Sequence, residues 1–259
     1  MTDIPVVDLG GGAVMPMVGF GTWQLGGRHA YDAVRYALEV GYRHLDTATM
    51  YRNEHEVGQA LRDSGLDRGE VFVTTKLPPG NASRARATLA ESLRALDTDY
   101  VDLWLIHWPP RRQASVPLWR EFLAVRDEGQ CRSVGVSNYD IAQIDELIAA
   151  TGQHPAVNQI PWSPSRYDPA LLAAHADRGI AVEGYSPLKG TRLRDPVLAE
   201  IAARHQVTPA QVVLRWHLEQ GIVVLPRSTQ PDHIASNFDL FSFSLSPEET
   251  ARLGGNVRT

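Results

Sequence analysis

Four polar residues stand at the ends of three successive apolar runs. Asp46 lies in His-Leu-Asp-Thr-Ala, with Tyr51 five residues beyond it; Lys76 follows Thr-Thr, and His107 ends Leu-Ile-His-Trp-Pro. An ammonium among apolar walls is costly unless a carboxylate pairs with it, and Asp46 on the neighbouring run can do so. A lysine held cationic beside a phenol favours the phenolate, which predicts a Tyr51 pKa below the usual value of about 10. His107, one run further on, can donate to a substrate oxygen or to the phenol. Together these are an acid, a cation that tunes it, the cation's partner and an orienting imidazole. Such a set suits protonation of an oxygen as hydride arrives at the adjacent carbon. Each residue alone has a plainer role, as a structural ion pair, a satisfied strand-end histidine or a packed loop tyrosine. Their convergence gives the chemical reading its weight.

The elements that must position these groups are legible along the chain. After a glycine-rich segment, Leu9–Met17, that predicts a hairpin capping one end, eight strand-like runs follow. They are Val18–Trp23, Tyr42–Ala48, Val71–Leu77, Val101–His107, Cys131–Ser137, Ala156–Trp162, Ala181–Ser186 and Ile222–Pro226. Helical stretches separate them: His29–Val40, Glu54–Ser64, Ala82–Leu96, Val116–Glu128, Ile141–Ala150, Pro169–Arg178 and Pro196–Leu218, with a last one at Pro247–Leu253. In Ala82–Leu96 the positions Ala85, Leu89, Leu93 and Leu96 recur at helical spacing. Val101–Ile106 is nearly continuous in apolar character, as a parallel strand covered on both faces should be. Alternation of this kind predicts parallel strands with crossover helices. An open dinucleotide-binding sheet would carry Gly-x-Gly-x-x-Gly after its first strand, whereas Gly19 and Gly21 sit inside the first run. The predicted fold is therefore an α/β (β/α)8 TIM barrel with an N-terminal β-hairpin cap, one domain over 1–259, with its chemistry at the C-terminal strand ends.

Composition narrows the function. The 259 residues fit the roughly 250 that one such barrel needs. A net charge of −5 gives no basic face, so neither nucleic acid nor an anionic membrane is expected as a partner. One cysteine, Cys131, excludes an internal disulfide and a cysteine-only zinc site; it reads as a small core filler. No cationic-then-apolar leader opens the chain and no run reaches 18 apolar residues, so a cytoplasmic protein is expected.

Longer segments carry a family resemblance. Gly-Tyr-Arg-His-Leu-Asp-Thr-Ala-Thr-Met-Tyr-Arg-Asn-Glu (41–54), Asp-Tyr-Val-Asp-Leu-Trp-Leu-Ile-His-Trp-Pro (99–109), Ser-Val-Gly-Val-Ser-Asn-Tyr (133–139) and Leu-Pro-Arg-Ser (225–228) resemble signatures of the aldo-keto reductases, in order and over nearly the whole chain. The resemblance implies NADPH-dependent reduction of aldehyde or ketone carbonyls, with Tyr51 as general acid and Asp46, Lys76 and His107 completing a tetrad. It implies NADPH extended across the barrel mouth, with NADH possible but weaker. Thr22 and Asp46 match positions near the nicotinamide ribose, Ser137, Asn138 and Gln159 those that bond the carboxamide, and Tyr185 the aromatic that stacks on the ring. Ser186 and Leu188 in the same segment, and Arg227, Ser228, His233 and Asn237 after the last strand, complete the coenzyme set. Lys189, Arg192 and Arg194 form a basic loop suited to a strap over the pyrophosphate. Thr229 and Asp232 predict a capping box, and so a helix aimed at a bound anion.

Two departures from the family pattern matter. Arg227 stands where lysine is usual, and His233 where arginine is usual. The second cation thus becomes pH-dependent, and the preference for NADPH over NADH less secure. Trp23, His107, Trp108 and Trp162 are expected to line the substrate pocket. Pro78 replaces a usual tryptophan and the chain stops soon after its last helix, so an open pocket of broad specificity is expected. The chain is read as a monomer acting on small carbonyl compounds. A Schiff-base aldolase using Lys76 is disfavoured because Asp46 would keep that lysine charged. A metal hydrolase using His44, Asp46 and His107 lacks a completing ligand, so no metal is expected. A silent NADPH-binding regulatory subunit would not need an intact tetrad.

Overall fold

A hairpin of β1 (Val6–Asp8) and β2 (Val14–Pro16), with Val7 opposite Met15, opens the computed structural model, which describes residues 4–110 and 113–256. The hairpin begins upstream of the glycine-rich segment Leu9–Met17, which supplies its turn and its second strand. Buried Met15 and Met17 meet Phe72, Leu103, Leu105, Val157 and Val223. The hairpin thus plugs one end of the barrel with apolar side chains and leaves the other end for polar ones.

Eight parallel strands follow: β3 (Phe20–Gly21), β4 (His44–Asp46), β5 (Phe72–Leu77), β6 (Val101–Ile106), β7 (Cys131–Ser137), β8 (Val157–Pro161), β9 (Ala181–Tyr185) and β10 (Val223–Leu225). Each pairs with its sequence neighbours, in the order β3 to β10. The sheet closes on itself where Val18 bridges Val224: Gly19 N donates to Val224 O at 3.0 Å and Val224 N to Met17 O at 2.9 Å. Gly19 is required at this seam. A Cβ there would stand 2.6 Å from Leu225 Cδ2 and 2.8 Å from the His44 ring, closer than packed side chains allow.

Helices α1 (Gly27–Val40), α2 (Glu54–Asp63), α3 (Ala85–Leu96), α4 (Val116–Asp127), α5 (Ile141–Thr151), α6 (Pro169–Ala176), α7 (Pro196–His205), α8 (Pro209–Glu219), α9 (Pro231–Phe238) and α10 (Pro247–Asn256) cover the outside. Their apolar faces pack on the outward side chains of the strands, as where Trp104 of β6 stacks on Phe122 of α4 at 3.7 Å. The stretch expected as one helix, Pro196–Leu218, is two. Gln206 turns left-handed (φ 57°), and Thr208 caps a new helix that starts on Pro209, with Gln211 closing a reciprocal capping box. The capping box expected at Thr229 and Asp232 does not form. Pro231 sets the first helical residue, so Gln230 takes the cap position without a side-chain bond.

Candidate active site

The C-terminal ends of β4 to β10 surround a cavity of about 570 Å³. Asp46 ends β4 and Lys76 stands next to the end of β5, both buried and directed inward. Lys76 Nζ donates to Asp46 Oδ1 at 2.7 Å and to Thr47 O at 2.8 Å, and lies 3.3 Å from the Tyr51 hydroxyl. Tyr51 sits on a single 3₁₀ turn, Thr49–Tyr51, between extended Ala48 and left-handed Arg52. That turn is tied to β5, because the Thr49 hydroxyl donates to the Lys76 carbonyl at 3.0 Å. The acid and its cation are therefore fixed to each other through the backbone as well as through their side chains. His107 follows β6, and its ring meets Tyr51 edge-on at 5.7 Å. Its Nδ1 is buried, with no hydrogen-bond partner among the described residues, while the ring itself lines the cavity.

Burial by itself would discharge the Lys76 ammonium, but the Asp46 carboxylate, with Tyr51 and Glu183, holds its pKa above the ordinary lysine value. A charged lysine cannot attack a carbonyl, which removes the basis of a Schiff-base reading. Tyr51 departs from the sequence expectation. Its pKa is raised, because burial outweighs the opposing pull of Lys76 and the Asp46 carboxylate adds to burial. The phenol therefore keeps its proton. Burial and the Lys76 charge push His107 down to about 3, so its imidazole is neutral.

Behind the ion pair is a group that sequence reasoning missed. Gln159 of β8 uses both amide hydrogens on carboxylates, donating to Asp46 Oδ2 at 2.8 Å and to Glu183 Oε2 at 2.7 Å. Glu183 lies on β9 directly beside Gln159 in register and is fully buried. Burial, then the Asp46 charge, push its pKa up to about 8. Its signal was present in the sequence: a lone carboxylate two positions before Tyr185, and so on the same face of the strand. Asn53, also missed, clamps the mouth from the side. It accepts from the Thr47 hydroxyl and donates to the carbonyls of Thr22 and Leu25, each at 2.8 Å.

Among the residues expected to hold coenzyme, Ser137, Asn138, Gln159, Tyr185, Ser186, Leu188 and Arg227 line the cavity, as does Lys189 of the basic loop. Arg192 and Arg194 are exposed. The Asn138 amide is engaged at both ends: Nδ2 donates to His107 O and Ser137 Oγ, and Oδ1 accepts from the Tyr185 hydroxyl at 2.8 Å. Thr22 is buried, donating to Asp46 O at 2.9 Å. Ser228 accepts from Gln230 N, His233 is exposed on the first turn of α9, and Asn237 is buried on the same helix; none of these four is in the cavity wall. Trp23 and Trp108, each about half exposed (49% and 46%), stand at the rim with Met50.

Trp162 is a correction to the expected substrate wall. It is 1% exposed and packs in a cluster with Val182, Leu198 and Trp216. Gln159 faces the barrel interior, so a residue three positions later faces the helices. His44, weighed as a metal ligand, points away from the mouth. Its Nδ1 lies 3.1 Å from Pro16 O and its Nε2 3.3 Å from Thr74 Oγ1.

Comparison with known proteins agrees with this geometry. The profile of the Aldo/keto reductase family matches residues 17–255. An aldo-keto reductase of Mycolicibacterium smegmatis is 44% identical, with 98% of both chains covered. Methylglyoxal reductase DkgA of Escherichia coli is 40% identical, covering 98% of this chain and 94% of that protein. The crystal structure of a Bombyx mori aldo-keto reductase in complex with NADP superposes with a TM-score of 0.91 at 33% identity, covering 98% of this chain and 93% of that one. The chain belongs to the aldo-keto reductase family.

Proposed function

We propose that this aldo-keto reductase reduces small aldehydes and ketones to alcohols with NADPH, methylglyoxal-like dicarbonyls among them, and that Tyr51 is its proton donor. One observation carries the reading: a protonated phenol opens onto the cavity 3.3 Å from an ammonium that Asp46 holds charged. Tyr51 gives its proton to the carbonyl oxygen, and Lys76 stabilises the phenolate left behind. His107, neutral and with its ring in the cavity wall, orients that oxygen. When bound, NADPH supplies the hydride.

The cavity fits that coenzyme. Gln159 presents an amide carbonyl with no hydrogen-bond partner among the described residues, Tyr185 a flat ring, and Arg227 a guanidinium at the rim. Ser137 and Asn138 complete the carboxamide cradle. Arg227 and Ser228 suit the 2′-phosphate, with His233 of α9 as a second, pH-dependent cation. Trp23 and Trp108 form the apolar rim that receives substrate. The wide mouth suits broad specificity, and no described helix is long and apolar enough to cross a membrane. The chain acts as a single-domain monomer in the cytoplasm.

The test is NADPH oxidation against methylglyoxal and a panel of aldehydes, ketones and diketones. Loss of absorbance with several of them is expected, and none with any would refute the reading. NADPH should bind at least tenfold tighter than NADH, since a charge-assisted phosphate contact contributes about 1.5–3 kcal/mol. That ratio should be larger at pH 6 than at pH 8, and His233→Arg should make it nearly independent of pH. Equal affinity for both coenzymes at both values would remove Arg227 and His233 from the phosphate site.

A further inference from the structure

We propose that Glu183 is a positioning residue: it fixes the plane of the Gln159 amide, whose carbonyl oxygen faces the coenzyme. This rests on the reading of the cavity as a nicotinamide site. An amide beside one acceptor is held at one point and can still turn about its last torsion, which is soft. Gln159 has two acceptors. The N–H bonded to Asp46 Oδ2 decides which end of the amide points inward, and the N–H bonded to Glu183 Oε2 fixes its plane. A reversed amide would set its oxygen 2.8 Å from Asp46 Oδ2, an acceptor-only oxygen of the carboxylate whose Oδ1 is bonded to Lys76, which the charges forbid.

The remaining atoms around Glu183 agree with a neutral carboxyl. Its Oε1 lies 3.4 Å from His44 Nε2, without hydrogen-bond alignment. Burial holds His44 neutral, with a pKa near 4, and its Nδ1 faces the Pro16 carbonyl at 3.1 Å. An Nδ1–H donated there leaves Nε2 as an acceptor, and so gives the Glu183 proton a place to point. One ammonium, Lys76, then faces one carboxylate, Asp46, and the barrel interior carries no unbalanced charge. Glu183 itself does not line the cavity. Its effect on coenzyme passes entirely through Gln159. The Asn138 amide oxygen already accepts from Tyr185, whereas the Gln159 oxygen has no hydrogen-bond partner among the described residues and is the acceptor most open to the carboxamide N–H. Which face of the nicotinamide meets substrate depends on how firmly that oxygen is held.

The experiment uses NADPH carrying deuterium at one of the two C4 positions and follows where the label goes. Wild-type enzyme should draw from a single face. Glu183→Leu should raise KM for NADPH by about fivefold, the size of one lost hydrogen bond, change kcat less, and transfer detectably from the wrong face. Glu183→Gln, which keeps an acceptor at the same place, should restore both the KM and the single face. A folded Glu183→Leu enzyme with wild-type KM and complete face selection would overturn the proposal. So would a Glu183→Gln enzyme as impaired as the leucine variant. Should Glu183→Leu not fold, Glu183→Met, of the original length and without a strong acceptor, is read by the same criteria. Absence of NADPH turnover in the wild type would instead refute the reading of the cavity.

Discussion

Two buried aspartates on alternate barrel strands, Asp46 of β4 and Asp102 of β6, have opposite uses. Asp102 begins β6 at the hairpin end. Its Oδ2 accepts from Arg68 at 2.8 Å and from Val73 N at 2.9 Å, and its Oδ1 lies 3.1 Å from Arg132. The two guanidinium groups stack over the Tyr100 ring at 4.2 and 4.3 Å, and Arg68 also donates to the carbonyls of Val71 and Tyr100. Every group in that cluster has protein partners. Asp46 also has a cation, but the surrounding set is incomplete. His107 and Tyr51 open to the cavity, and a second carboxyl is held neutral behind Gln159. A closed network braces the fold, whereas one left open toward a cavity waits for a ligand.

The contrast can be broken from either side. Lys76→Met leaves Asp46 buried without its cation. It should cost about 3–5 kcal/mol of stability and abolish turnover near neutral pH, because the phenolate loses its adjacent cation. Retained turnover in a folded variant would erase the distinction. Tyr51→Phe should lower turnover by at least about a hundredfold while NADPH affinity, measured by fluorescence titration, stays at the wild-type value. At the other end, Asp102→Asn should lower stability by about 2–3 kcal/mol in denaturant unfolding, with kcat and KM of the folded enzyme unchanged. A kinetic defect there would make the brace part of the site.

The pH dependence of stability separates the two regions further. The Glu183 carboxyl ionises near 4.5 when unfolded and near 8 when folded. Its protonated form is the one the fold prefers, so its contribution is fully present below about pH 4.5 and is lost as pH rises through about 8. The Tm of Glu183→Gln should therefore gain on the wild type between pH 5 and pH 8, by on the order of ten degrees. A gap of constant size would mean that Glu183 is ionised in the fold.

Much of this was legible in the sequence. The eight strands announced themselves because parallel strands buried on both faces leave runs such as Val101–Ile106. The four groups around Tyr51 were found because each ends or follows such a run. What escaped has physical causes. Glu183 lies inside a run, not at its end, and its partner is 24 residues away; only the pairing of Gln159 with Glu183 brings the two together. Trp162 was read by residue type, whereas the two-residue period of β8 decides its face. The split of Pro196–Leu218 was written in Thr208-Pro209-Ala210-Gln211, a cap followed by proline, but the apolar spacing runs on through it. For Tyr51 the charge of Lys76 was weighed without the desolvation that opposes it, a quantity visible only once the cavity is built.

The seam at Gly19 has a dynamic consequence. Closure there depends on a few main-chain bonds beside a position too crowded for any side chain, and the cavity wall includes residues from both of its edges, Gly21 on one and Leu225, Pro226 and Arg227 on the other. A coenzyme lying in that cavity is a clasp across the joint. Any breathing that parts the two edges must first release it, so the amides of Gly19 and Val224 should exchange with solvent more slowly in the loaded enzyme, by the factor that mass action sets. The cofactor then serves the protein as a hoop serves a barrel of staves, and starvation for coenzyme becomes a mechanical weakness as well as a chemical one.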